Sequence, residues 1–386
     1  MKEILRISRR ELRRLLDRRS YLWGMVLVPL GITLFFVSLM NEGLPQPVPT
    51  AVVDLDNTDI SRNLVRNLDT QQTIEITRHC NSYEEALAAV RSGEIFGFFY
   101  IPRDFARDAI AGKGPTLSYY SNMTFFVPGT LTYKGFKTMA VTTSGAIVVN
   151  KLQTTGVPSS LASSLLQPVS FDIHPLGNPW SNYNIYLSNS FAPCTLALMV
   201  VLITIFSICG EMKHKSSTQW MEMASGNVYV ALAGKLLPQT AIFTVVGFAI
   251  QAILYGWMGF PLNGSVAGMV LAMFLLVIAA QSFAVFIVSI VPNLRLALSL
   301  GALMGILAFS IAGFSYPVEQ MYGSIGILSY ILPIRYYFLI YIDQALNGID
   351  LYYSREYFIA LLLFPVAAAA VAWNLRRQLL EPVYDP

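Results

Sequence analysis

The sequence predicts an α-helical polytopic membrane protein. It has six transmembrane helices, a re-entrant helix pair in the outer leaflet, and an inserted extracytoplasmic α/β domain. Three observations lead there. Hydrophobic residues make up 54% of the chain and charged residues only 13%, about half the share of charge usual in soluble domains. Six apolar runs each approach the ~20 residues that cross a hydrocarbon core of about 30 Å. One long stretch, 41–186, instead alternates strand-like and helix-like segments.

Residues 1–20 open the chain as a cytoplasmic amphipathic helix. Lys2, Arg6, Arg9, Arg10, Arg13, Arg14, Arg18 and Arg19 supply positive charge, while Ile4, Leu5, Leu12, Leu15 and Leu16 recur near helical spacing. That combination lies flat at a membrane surface. A signal peptide fits less well, because the apolar run behind it is long and lacks a small-residue cleavage site. That run, 21–40, is the first span, and the basic cluster keeps its start inside.

The stretch 41–186 then sits outside. Leu44-Pro45-Gln46-Pro47-Val48-Pro49 is an extended exit. Strands are expected over 50–54, 73–77, 95–101 and 116–121, with helices over 60–68, 83–91, 103–111 and 130–152. Asp59 caps the first helix, and Ser82 with Glu85 forms a capping box on the second. Asp54, Asp56 and Asp59 approach a calcium-loop pattern but lack its Gly and closing Glu, so they read as a strand end and a helix cap. His79-Cys80 offers too few ligands for a structural metal. Cys80 is alone in its region, and Cys194 and Cys209 fall inside a span, so the outer domain forms no internal disulfide.

Residues 187–386 hold spans two to six: 187–209, 236–258, 266–291, 296–316 and 358–375. The first four of these contain no Lys, Arg, Asp or Glu in their interiors. Arg376-Arg377 places the C-terminus inside, so the number of crossings is even. The apolar segment 325–342, broken by Pro333 and marked by Arg335, is therefore a re-entrant pair within 317–347, hinged at Pro317, Met321, Pro333 and Arg335. Arg335 snorkels toward the outer surface.

Ion-driven transport needs ionisable groups at membrane depth, and these spans offer none. No phosphate-binding loop of the form Gly-x-x-x-x-Gly-Lys-Ser/Thr is present either. Energy for uphill movement must come from another polypeptide, docking on the inside. The loop 210–235 is the inner connection long enough, with Glu211, Lys213, His214, Ser217, Thr218, Trp220, Met221 and Met223. Aromatic and Met residues suit a protein contact; a helix lying at the membrane interface fits the same residues.

The chain resembles the permease subunits of type-2 ABC exporters, in the branch with a large extracytoplasmic domain after the first span. The residues that carry this are Ala51-Val52-Val53-Asp54-Leu55-Asp56-Asn57-Thr58 with Ser61–Val65, and Gly313-Phe314-Ser315-Tyr316-Pro317-Val318-Glu319-Gln320-Met321 with Leu332-Pro333. The loop 210–235 is similar to that family's coupling segment, although Ser217-Thr218-Gln219-Trp220 replaces its usual acidic run. The resemblance implies a separate ABC ATPase carrying ATP and Mg, no cofactor on this chain, and a second permease chain, identical or not. It also leaves room for a periplasmic adaptor. Membrane lipids are partners and nucleic acid is not. Gly301 and Gly305, extended by Ala308 and Ala312, form a small-residue face for helix packing or a dimer contact. A path lined by apolar residues with Thr33, Ser38, Asn189 and Ser190 suits an amphipathic, lipid-like or drug-like substrate. The expected location is the bacterial cytoplasmic (inner) membrane with both termini inside. The alternative is a receptor or secretion scaffold of similar plan with no ATPase partner.

Overall fold

A computed structural model describes residues 1–40, 47–71, 73–154, 182–314 and 316–381. It divides into two compact units. One joins Met1–Gly43 to Pro175–Pro386, and the other is Leu44–His174. The start of the proline-rich exit (44–46), the segment 155–181 and Ser315 lie outside the described residues.

The first unit begins with helix α1, Lys2–Asp17, which ends where Arg18 takes an extended conformation. Helix α2, Arg19–Leu39, follows as the first apolar span. The expected apolar stripe of α1 is only partly the one the fold buries: Leu15 is buried and Ile4 half-buried. Ile7, Glu11 and Leu15 point inward at four-residue spacing, with Ser8 beside them, while Leu5, Leu12 and Leu16 are exposed. So α1 packs one face on protein and keeps a separate leucine-and-arginine face outward, rather than lying only on a membrane.

The second unit is a mixed four-stranded sheet with helices on both faces. In chain order its elements are β1 Val48–Asp54, α3 Asp59–Asp69, β2 Ile74–Cys80, α4 Tyr83–Ser92, β3 Gly97–Ile101, α5 Phe105–Ile110, β4 Ser118–Ser121 and α6 Phe126–Thr154. The sheet order is β2-β1-β3-β4, with β1 parallel to β2 and β3, and β4 antiparallel to β3. Alternation along the strands feeds two cores. Val52, Phe99 and Ile101 join Leu64, Phe105 and Phe136 on one face; Ala51, Val53 and Phe98 join Ala86 and Ala89 on the other.

Two caps differ from expectation. The cap of α3 is Thr58, not Asp59: its hydroxyl accepts the Ser61 N–H at 3.2 Å, and Ser61 reciprocates. At α4, Ser82 accepts the Glu85 N–H as expected, but the Glu85 carboxylate accepts from Asn81, one residue earlier than a capping box requires. Asp54 is taken up locally, accepting from the Asp56 and Asn57 amides and the Ser61 hydroxyl. Among the described residues no cluster could hold a metal ion.

The first unit resumes with α7 Tyr183–Lys213, a short α8 Ser217–Met223, α9 Val228–Trp257, α10 Val266–Ile290 and α11 Leu294–Ile311. A pair bent by 88°, α12 Gly323–Tyr330 and α13 Pro333–Asn347, precedes the last helix, α14 Arg355–Leu380. Among the described residues six helices are long and apolar enough to cross a membrane, or seven if the bent pair counts as one crossing. The most buried are α7 and α10, which form the middle of the unit. Pro333 opens α13 at a position where its missing N–H costs nothing.

Two helices run past the apolar windows. α7 extends beyond Cys209 to Lys213 and α9 begins at Val228 instead of 236, so both gain charged residues. The expectation that these spans carry no buried ionisable group therefore fails. Arg335 also differs. It is 4% exposed rather than snorkelling, donates to Glu319 at 3.0 Å and stacks on the Tyr330 ring.

Candidate functional site

The site forms where α1 crosses α9. Two features of α9 prepare the crossing. Gly234 has no side chain, and a Cβ there would lie 2.8 Å from the Ile7 Cβ. Pro238, four residues on, has no N–H to give the Gly234 carbonyl. That freed carbonyl accepts the Ser8 hydroxyl at 2.8 Å. A glycine notch and a proline thus make a seat for the inner face of α1.

One turn further along α1, Glu11 meets Lys235 and Glu211, and all three are 0–1% exposed. The Lys235 ammonium donates to Glu11 at 2.7 Å and to Glu211 at 3.1 Å. Arg10 grips Glu211 through both guanidinium nitrogens, at 3.0 and 3.1 Å, and Arg14 pairs with the same carboxylate. Ser207 and Gln239 donate to Glu11 at 2.9 and 3.2 Å. Isolated buried charge is prohibitive; here two carboxylates face three cations, and each carboxylate has several donors. The arrangement joins α1, the end of α7 and the start of α9, although Glu11 and Lys235 are 224 residues apart.

α8 covers this cluster. Trp220 is fully buried, its indole N–H donating to the Ala231 carbonyl at 3.1 Å and its ring 4.9 Å from the Lys235 ammonium. Met221 is also fully buried and Ser217 is buried. The chain enters and leaves α8 through left-handed backbone at Lys215, Ser225 and Gly226. Arg6 donates to the Met223 carbonyl and Arg376 of α14 to the Gly226 carbonyl. Lys213, His214 and Gln219 are exposed, and Thr218 and Met223 half-buried. The sequence reading offered Trp220 and Met221 as contacts for a partner; they face into the chain instead. What the corner shows outward is basic and polar.

The remaining expected positions fall elsewhere. A Cβ on Gly301 would lie 2.7 Å from Ile205, and one on Gly305 2.3 Å from Leu198, so this face of α11 is taken up by α7 of the same chain. Ala308 and Ala312 are buried too. Pro317 precedes a short turn, Val318–Gln320, that ends at Met321. Of the polar path residues, Thr33, Asn189 and Ser190 are buried and hydrogen-bonded within the chain, and Ser38 is exposed.

A family model for ABC-2 family transporter proteins matches residues 19–374. The chain belongs to the ABC-2 transporter family. It is a multi-pass membrane component of an ABC transporter system, in a family whose permeases work with ATPase partners. No curated protein matches it. In this ABC-2 protein the residues missed from sequence were Ser8, Glu11, Gly234 and Pro238. One signal was available. Glu11 interrupts a run of arginines on the same stripe as Ile7 and Leu15, where a surface helix has no need of an acid.

Proposed function

We propose that this chain is the permease of an ATP-binding cassette exporter for an amphipathic, lipid-like or drug-like substrate, driven by a separate ATPase that carries ATP and Mg. It sits in the cytoplasmic membrane with both termini inside, two permease chains working with two ATPase subunits. The sheet unit is an inserted α/β domain on the outside, a place from which it could meet an adaptor.

The observation that supports the drive is the charged corner. A partner pressing on this corner, through Lys213 and His214 at the end of α7 and Gln219 of α8, pushes Trp220 against Lys235. Lys235 and Glu211 stand at the ends of two spans, and Glu11 and Arg10 tie both to α1. Buried ion pairs of this kind resist separation by several kcal/mol, so α8, α1, α7 and α9 move as one piece. The push reaches the spans instead of being lost in a loop.

The test is purification from the native host with its copurifying proteins. An ATPase subunit should come along, and hydrophobic drugs or lipids should stimulate its hydrolysis. Charge reversal at Lys213 and Lys215 should uncouple stimulation while leaving the permease folded. Recovery without any nucleotide-binding subunit would favour a scaffold.

A further inference from the structure

Away from the charged corner, α9, α10 and α14 leave a groove of about 820 Å³ between them. Its wall is almost wholly apolar, with Leu237, Phe274 and Ala369 typical. Along α9 it runs from Tyr229 to Val245, roughly 24 Å at 1.5 Å per residue. Five polar side chains break the apolar wall. The Tyr229 and Ser282 hydroxyls donate to the Ala369 and Ile278 carbonyls, which leaves Thr240, Thr244 and Gln281.

Gln281 is 3% exposed, and its amide nitrogen has no hydrogen-bond partner among the described residues. The Thr244 hydroxyl has none either. Gln281 stands nine residues from one end of α10 and fifteen from the other, well inside an apolar span. Water cannot serve it there, and an unserved polar group in hydrocarbon costs several kcal/mol. Turning the amide over does not help. The Thr240 hydroxyl lies 2.7 Å from the amide oxygen and 2.9 Å from the Leu236 carbonyl. If the amide nitrogen takes the place of its oxygen beside Thr240, the oxygen is left over instead. Either way one amide atom and the Thr244 hydroxyl remain open.

We propose that this groove binds a slender, uncharged membrane lipid bearing a hydroxyl part-way along its body. A hydroxyl both donates and accepts, so it satisfies Gln281 in either orientation and can serve Thr244 as well. The groove has no Lys, Arg, Asp or Glu in its lining, which excludes a charged headgroup. Plain acyl chains fill the volume but leave the polar atoms open. The site goes beyond the export reading, since it needs neither an ATPase nor transport.

The test uses the full chain in lipid nanodiscs and two photoprobes, a long-chain secondary alcohol with a mid-chain hydroxyl and a terminal diazirine, and the matching alkane. The alcohol should label α9, α10 and α14 saturably, roughly tenfold more than the alkane at equal dose, the equivalent of about one well-made hydrogen bond. Gln281→Met should abolish the preference without lowering thermal stability in the absence of probe, because it removes an open polar atom. Thr244→Val should reduce the preference. Ala241→Trp, on the exposed groove wall, should block both probes. Equal labelling of the wild type by alcohol and alkane would mean ordinary lipid contact and overturn the proposal. So would a preference that survives Gln281→Met, or labelling that Ala241→Trp leaves intact.

Discussion

Lys235 and Arg335 are both buried cations in the same unit, and they are held in opposite ways. Lys235 contacts two carboxylates that are themselves 0–1% exposed. Arg335 pairs with Glu319, whose side chain is 66% exposed, and leaves its Nε without a partner among the described residues. When both members of a pair are out of water, removing one strands the other, which costs about 3–5 kcal/mol. When one member stays wet, solvent replaces the lost partner, and such pairs contribute about 0–1 kcal/mol. The corner is therefore a lock, and the Arg335 contact is a tether.

The largest expected effect is at the lock. Lys235→Met should destabilise the protein by about 3–5 kcal/mol, read as a lower midpoint in thermal unfolding in detergent. Adding Glu11→Gln should recover part of that loss, because it removes the charge left behind. If the double variant is as unstable as the two single losses added together, the two side chains are not coupled. Gly234→Val comes next. Its side chain must displace Ile7, at about 1–3 kcal/mol, and protease cleavage within α1 should accelerate. Ser8→Ala leaves the Gly234 carbonyl with no donor, since Pro238 supplies none, and should cost about 1–3 kcal/mol. A neutral result there would mean that the seat depends on shape alone.

The smallest effect is at the tether. Arg335→Met should cost no more than about 1 kcal/mol from charge. The Glu319 carboxyl is held below its usual range by its own backbone N–H first and by Arg335 second. A lowered pKa in the folded state means that the pair stabilises above the ordinary carboxylate range. The contribution is lost as pH falls through the lowered value. Acid titration of wild type against Glu319→Gln should show wild type more stable by a small margin near neutrality, with the two curves converging as the pH falls through that window.

What the sequence revealed and what it hid follow from the same physics. The spans, the strand alternation and the break at Pro333 are local patterns, and each was readable within a few residues. The corner was not, because a hydropathy window stops at the first charge. Glu211 and Lys235 were read as the edges of a loop, yet the helices continue through them. Their partners Glu11 and Arg10 sit some 200 residues earlier, where a run of arginines suggested only a surface. Trp220 was misjudged for a related reason: composition reveals that a residue is large and apolar, not which side it faces. The small-residue face at Gly301 and Gly305 was visible, but a stripe of that kind does not say whether its neighbour is the same chain or another copy.

The glycine-and-proline seat on α9 has a consequence for biosynthesis. α1 leaves the ribosome before α9, and the Lys235 that pairs with Glu11 is made 224 positions later. At about 5–20 residues per second, the N-terminal segment waits on the order of ten to forty-five seconds with its acidic side chain unaccompanied. During that interval only water or the lipid headgroups can solvate it. Closure of this corner must therefore wait until the start of α9 has been made, and slowed translation between α1 and α9 lengthens that wait.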